Sequence, residues 1–268
     1  MAGCIGGPAS NERNGVVAAS RRRAFSCGLL LTRLVRGRVS SCIANVCTIS
    51  DYAPYANLDG SVDPVAEVTL LRAAEDARFF QELDKGFLHG EPNVQLLDLG
   101  WRDAPLRHSI AAEAVLAGGT IALDEVARLV ADFRCLAPTS IVLAPMALGG
   151  HLDHSLVREA AVEVWPKDIL LFYEDLPYAC RMSPEVCAEQ TRRCLPWPCE
   201  RAPASPAQSG EKRRMALCYP SQIAAAVADE MQSHAAALGW TERLYGTQTA
   251  LRRLTSLSRG REIDEDNG

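Results

Sequence analysis

The chain has 268 residues, 48% of them hydrophobic, and a formal net charge of -5. That length and apolar content suit one large α/β domain or two small ones. The acidic balance leaves no dominant basic face for nucleic acid, and no apolar run approaches the ~18 residues of a membrane span.

Residues 1–15 carry no periodic pattern and lack the apolar core of a signal peptide, so a cytoplasmic setting is expected. Residues 16–20 read as a short buried strand. Arg21, Arg22 and Arg23 follow, and then a helix over 25–36 with Leu29, Leu30, Leu34 and Val35 on one side. A helix N-terminus carries partial positive charge, so three arginines are the wrong sign for that place. Residues 42–49 are a second apolar strand. Asp63 caps the next helix and Pro64 occupies its first turn, with Val68, Leu71, Ala74 and Phe79 at helical spacing.

Residues 93–100 form the third strand. A helix over 123–133 places Leu123, Val126, Leu129, Val130 and Phe133 on one face. Residues 140–145 are the fourth strand, followed by a Gly-Gly turn, a helix over 152–164 and a strand over 169–173. The alternation predicts an α/β fold with a Rossmann-like, mostly parallel sheet and helices on both faces.

Residues 180–210 break the pattern. They are rich in Pro, Ala and Ser and read as a long surface excursion. Cys180, Cys187, Cys194 and Cys199 cluster there without a C-x-x-C pair, a poor spacing for structural zinc. The ten cysteines are otherwise scattered and read as free thiols in a reducing compartment. A helix over 221–238 closes the compact part. The expected organisation is a poorly patterned segment over 1–15, one domain over 16–245, and a charged, frayed tail over 246–268.

Chemistry concentrates after the fourth strand, in "APMALGGHLDHSLVREAA". Ligands of such sheets sit at the carboxyl ends of the strands. His151, Asp153 and His154 crowd that turn, two histidines and a carboxylate that suit a metal centre with an adjacent acid/base histidine. A capped helix start with a solvated histidine pair is the structural alternative. Gly149 and Gly150 let the backbone approach a ligand closely.

"GGHLDHSLVREAA", then "LLFYEDLPYA", then "KRRMALCYPSQ" together resemble the PIG-L/LmbE-like family of zinc-dependent N-deacetylases, whose archetypes deacetylate N-acetylglucosaminyl conjugates. The resemblance runs from about residue 24 to 245. It implies hydrolysis of an N-acetyl amide on an amino-sugar conjugate. His154 would be a zinc ligand, His151 the acid that assists the oxyanion and the leaving amine, and Asp153 the group that orients and tunes that imidazole. Zinc would polarise the amide carbonyl. Glu174 and Asp175, after the next strand, would line the pocket and touch substrate. No partner beyond a small N-acetylated sugar conjugate is implied.

The family's other half-site, Ser-Pro-His-x-Asp-Asp, belongs after the first strand. In ungapped alignment its histidine falls on Ala19 and its aspartates on Arg21 and Arg22, so all three functional side chains are missing. A catalytic zinc takes about three protein ligands, and two arginines repel a divalent cation. The resemblance therefore leaves two readings: a hydrolase, or a sugar- or partner-binding pseudoenzyme of the same fold. A nucleotide-binding α/β protein is a weaker third, because no Gly-x-Gly-x-x-Gly follows a strand. The genetic code adds one point. Val-Val-Ala-Ala-Ser-Arg-Arg-Arg can be encoded GTC GTC GCC GCA TCG CGA CGA CGC. Read one nucleotide later, this string gives Ser-Ser-Pro-His-Arg-Asp-Asp, the family motif in register.

Overall fold

The computed structural model describes residues 16–19, 23–84, 94–116, 119–136, 140–203 and 209–259. Its strands are β1 (Val16–Ala19), β2 (Ser41–Ile49), β3 (Val94–Arg102), β4 (Ile141–Pro145), β5 (Leu170–Tyr173), β6 (Glu200–Pro203) and β7 (Arg243–Gly246). They form one sheet in the order β3-β2-β1-β4-β5-β7-β6. The pairings from β3 through β5 are parallel, and β7 pairs antiparallel with both β5 and β6. This is the mixed α/β, mostly parallel sheet that the alternation predicts. Every residue of β4 and β5 is buried, which explains why they read as unbroken apolar runs rather than alternating ones.

The helices are α1 (Arg23–Arg36), α2 (Pro64–Asp84), α3 (Ala104–His108), α4 (Leu123–Arg134), α5 (Leu152–Val164), α6 (Pro184–Cys194), α7 (Glu211–Ala216), α8 (Ala225–Ala237) and α9 (Gln248–Arg259). From β1 the chain moves to β2 on one side, whereas from β4 it moves to β5 on the other. Right-handed crossovers then put α1 and α2 on one face and α5 on the other. In contact, α1 packs on α2 and α7, and α4 packs on α5. No described helix is long and apolar enough to cross a membrane.

Capping explains several helix starts. Asp63 Oδ1 accepts the Ala66 N–H at 3.0 Å, with Pro64 in the first turn. In α6, Ser183 Oγ accepts the Val186 N–H at 3.3 Å. Helix α1 is broken at Cys27 (φ -129°, ψ 23°), and its main segment is capped from far away in sequence. The Glu242 carboxylate accepts the N–H groups of Leu29 (3.0 Å) and Leu30 (2.9 Å), a negative charge where the helix end is positive. Lys212, itself buried, pairs with Glu242.

Several expectations are corrected. Leu123 is 86% exposed, because the buried stripe of α4 runs through Glu125, Leu129, Val130 and Phe133 instead. Ala74 is exposed too. The inner face of α2 carries Val68, Phe79 and Leu83 together with Arg72, Glu75 and Asp76. Buried charges need partners, and here they have them. Asp76 accepts from Asn45 Nδ2 (3.0 Å) and Tyr219 Oη (2.8 Å), and Glu75 accepts from the N–H and Oγ of Ser221 (2.7 and 2.9 Å).

Residues 180–210 are not a bare excursion, since they contain α6 and the edge strand β6. The expected frayed tail contains α9, whose Ala250 and Leu254 enter the core. The helix expected over 221–238 begins only at Ala225.

Candidate active site

Strand order reverses between β1 and β4, so their carboxyl ends open a crevice of the kind in which α/β sheets hold ligands. After β4 the chain makes a 3-10 turn, Leu148–Gly150, and then enters α5. Gly149 has φ +81°, and a Cβ there would lie 2.8 Å from Tyr178 Cγ, so glycine is required on both counts. Tyr178 is thereby drawn to within ring contact of both His151 and His154, at 6.3 and 6.2 Å between centroids.

His151 is the N-cap of α5, and its Nδ1 accepts the Asp153 N–H at 3.2 Å. In the neutral ring this leaves the proton on Nε2. His154, one turn into the helix, is 2% exposed. Its Nδ1 lies 2.5 Å from Asp175 Oδ1, and its Nε2 is buried with no hydrogen-bond partner among the described residues. Asp175 also accepts the Leu148 N–H at 2.9 Å, which ties the imidazole to the glycine turn. A histidine whose Nδ1–H is held by a carboxylate presents a lone pair on Nε2, the arrangement common to metal-binding histidines.

The Asp153 carboxylate takes the Arg107 guanidinium at 2.8 Å and the Ala104 N–H at 3.3 Å, while its backbone N–H donates to His151. Arg107 also binds Glu125 at 2.8 Å. Burial opposes its charge, but Asp153, Cys47 and Glu125 outweigh that and raise the guanidinium above its ordinary range.

His151, Asp153 and His154 share the wall of a cleft of about 350 Å³ with Arg72, Asp103 and Tyr178. Asp103 is 6% exposed. Its Oδ2 accepts from Ser50 Oγ and faces Arg72 Nη1 at 3.8 Å, while its Oδ1 is buried without a partner among the described residues. Burial pushes its carboxyl up, and Ser50 and Arg72 only partly restore the charged form. Sequence reasoning missed both residues. Asp103 precedes a Pro-containing helix start and so looks like a cap, yet it makes no side-chain cap bond. Arg72 looks like the solvent side of α2.

The placement of Glu174 and Asp175 corrects the expectation that they line the pocket, because neither belongs to the cleft wall. Asp175 acts behind His154. Glu174 faces the other way, to Tyr245 Oη (2.8 Å), Arg243 Nη1 (3.2 Å) and His234 Nε2 (3.4 Å). Ala19 ends β1 at the crevice. Its side chain, and Arg21 and Arg22, lie outside the described residues. Among the described residues, no group of three His, Cys, Asp or Glu side chains could hold a metal ion. His154 Nε2 fits such a role as one donor, and the described set does not complete it. The described cysteines are free thiols.

No family model matches the chain. Over 89 residues it is 44% identical to a 2'-N-acetylparomamine deacetylase of Streptomyces fradiae, and the match covers 30% of each chain, well under two thirds of that relative. The fold is similar to that of a deacetylase of teicoplanin biosynthesis, with TM-score 0.64, 20% identity, and 86% of this chain and 96% of that one covered. The chain shares the fold of that deacetylase. A structure described as the zinc inhibited form of teicoplanin deacetylase matches this chain with TM-score 0.62 at 18% identity, covering 86% of this chain and 97% of that one. At such identities the solved structures establish the fold, while function is read from the site.

Proposed function

We propose that the protein belongs to the zinc-dependent N-deacetylases acting on N-acetylated amino-sugar conjugates, and that the chain as written carries only the β4 half of the metal site. The observation that carries this reading is His154. It is buried, its Nδ1 is held by Asp175, and its Nε2, on the cleft wall, has no hydrogen-bond partner among the described residues. The partial match to an acetylparomamine deacetylase supports the substrate class.

In this reading His154 is a metal ligand and Asp175 positions it. His151 presents an Nε2 proton to the leaving amine, because its Nδ1 is occupied by the Asp153 N–H. Arg72 and Asp103 Oδ1, which has no partner among the described residues, meet sugar hydroxyl groups. When bound, zinc would supply polarisation of the amide carbonyl. The β1 half, at Ala19, Arg21 and Arg22, offers no ligand and two repelling charges.

The second reading, a sugar-binding pseudoenzyme, is favoured by those same two arginines. A single-nucleotide shift near Arg23 is the simplest origin of the sequence there, and the gene decides it. If the codon of Arg22 is not CGA, or that of Arg21 is neither CGA nor AGA, the shift is wrong. For the protein as written, metal analysis after purification is expected to give far less than one zinc per chain, and N-acetylglucosaminyl substrates are expected to release no acetate. Stoichiometric zinc with acetate release would show an intact enzyme and overturn the half-site reading.

A further inference from the structure

Helix α2 is inverted relative to an ordinary surface helix, which turns its apolar stripe to the core and its charges to water. Its inner face buries Arg72, Glu75 and Asp76 among Val68, Phe79 and Leu83. Its outer face carries Ala66, Leu70, Ala73, Ala74 and Ala77, all exposed, with Leu70 71% exposed. From residue 66 to residue 81, the exposed polar side chains are Glu67, Arg78 and Gln81.

At about 100° per residue, positions 66, 70, 73 and 77 fall on one stripe, with 74 beside it. α2 packs chiefly on α1 and β2, and its outer stripe stays in water. A lone exposed leucine carries no information, but an apolar stripe about three turns long marks a contact surface.

The stripe is complementary to itself. Glu67 and Arg78 lie about three turns apart on the same flank of it. Neither side chain has an ion pair or hydrogen bond among the described residues. When two identical helices pack antiparallel about a two-fold axis, each flank meets the same flank of its partner. The acid near one end of the stripe then faces the base near the other, twice. With the axis between Ala73 and Ala74, Leu70 lies opposite the partner's Ala77 and fills the space that the small side chain leaves. The alanines at the centre let the two helices approach closely.

We propose that the outer face of α2 is an interface between two copies of this chain, packed antiparallel on Leu70, Ala73, Ala74 and Ala77 and flanked by two Glu67–Arg78 pairs. A helix contact about 22 Å long is smaller than an obligate interface, so the dimer forms reversibly, in the micromolar range. Arg72, on the cleft wall, projects from the opposite side of the same helix. The interface therefore does not depend on what the cleft binds.

The test is sedimentation equilibrium of the full chain from about 5 to about 200 μM. The wild type is expected to pass from monomer toward dimer over that range, and Leu70→Glu to stay monomeric. Glu67→Arg and Arg78→Glu, each alone, are expected to weaken the dimer about tenfold, because like charges then face each other. Mixed in equal amounts, those two variants are expected to recover the wild-type affinity, since each pair is again of opposite sign. That recovery also shows that both variants fold. A wild type that stays monomeric throughout, a dimer that survives Leu70→Glu, or two charge variants that associate no better mixed than alone would overturn the interface.

Discussion

Glu174 and Asp175 are adjacent in sequence and join two different buried polar networks on either side of β5. Asp175 turns toward β4 and holds His154, whose Nε2 has no protein partner among the described residues. Glu174 turns toward β7 and is enclosed by Tyr245, Arg243 and His234. Close by, Lys212 and the N–H groups of α1 enclose Glu242 in the same way. Among the described residues, no buried side-chain atom of Glu174, Tyr245, Arg243, His234, Lys212 or Glu242 lacks a hydrogen-bond partner, whereas on the cleft side His154 Nε2 and Asp103 Oδ1 are left open. Buried polar atoms are satisfied as a rule, so open ends at one network and none at the other separate a ligand site from structural bracing.

The largest way to break this comparison lies in the closed network. Lys212→Met leaves Glu242 buried and unpaired, and urea unfolding should show a loss of about 3–5 kcal/mol. A loss below about 1 kcal/mol would mean that the pair is not the brace described. Next is Gly149→Ala at the border of the cleft. Positive φ and the approach of Tyr178 together should cost about 2–3 kcal/mol in the same assay, and a neutral result would mean that Tyr178 does not sit against that turn.

Glu174→Gln should cost about 2 kcal/mol at neutral pH, from hydrogen bonds made to a charged group. Burial alone would raise the Glu174 carboxyl, but His234, Arg243 and Tyr245 outweigh it and hold the carboxyl below the usual range. Its folded value is thus below the unfolded one of about 4.3. The stabilisation is fully present above the unfolded value and is lost as pH falls through the folded one. The variant should therefore lose less stability than wild type on acidification below about pH 4.3. Parallel acid limbs would contradict the assignment.

The smallest effect belongs to the open network. Asp103→Asn removes a charge that burial already disfavours and keeps the shape, so stability should change by less than about 1 kcal/mol. A change as large as that of Lys212→Met would erase the distinction between the two networks.

The parallel half of the sheet was legible because covered strands and their helices leave simple periods. Buried runs such as those of β4 and β5 and the cap at Asp63 mark their own boundaries. The antiparallel edge was not. β6 contains Pro203 and lies in a Pro-rich stretch, where proline demotes a strand prediction. α9 is polar in composition and becomes legible only through the two residues that reach the core. In the site, His151, Asp153 and His154 are close in sequence, and their type announces them. Arg72 and Asp103 come from separate elements and meet only through the fold, and Asp175 differs from Glu174 only in which neighbour of β5 it faces.

The most direct measurement is zinc content in a chain whose missing half is restored. Val17→Ser, Ala18→Pro, Ala19→His, Arg21→Asp and Arg22→Asp together write Ser-Pro-His-x-Asp-Asp at the positions where the motif belongs. The account predicts about one zinc per chain in that variant, with the metal lost when His154→Ala is added and far less than one zinc in the chain as written. A restored chain that binds no zinc, or zinc that persists without His154, would contradict it.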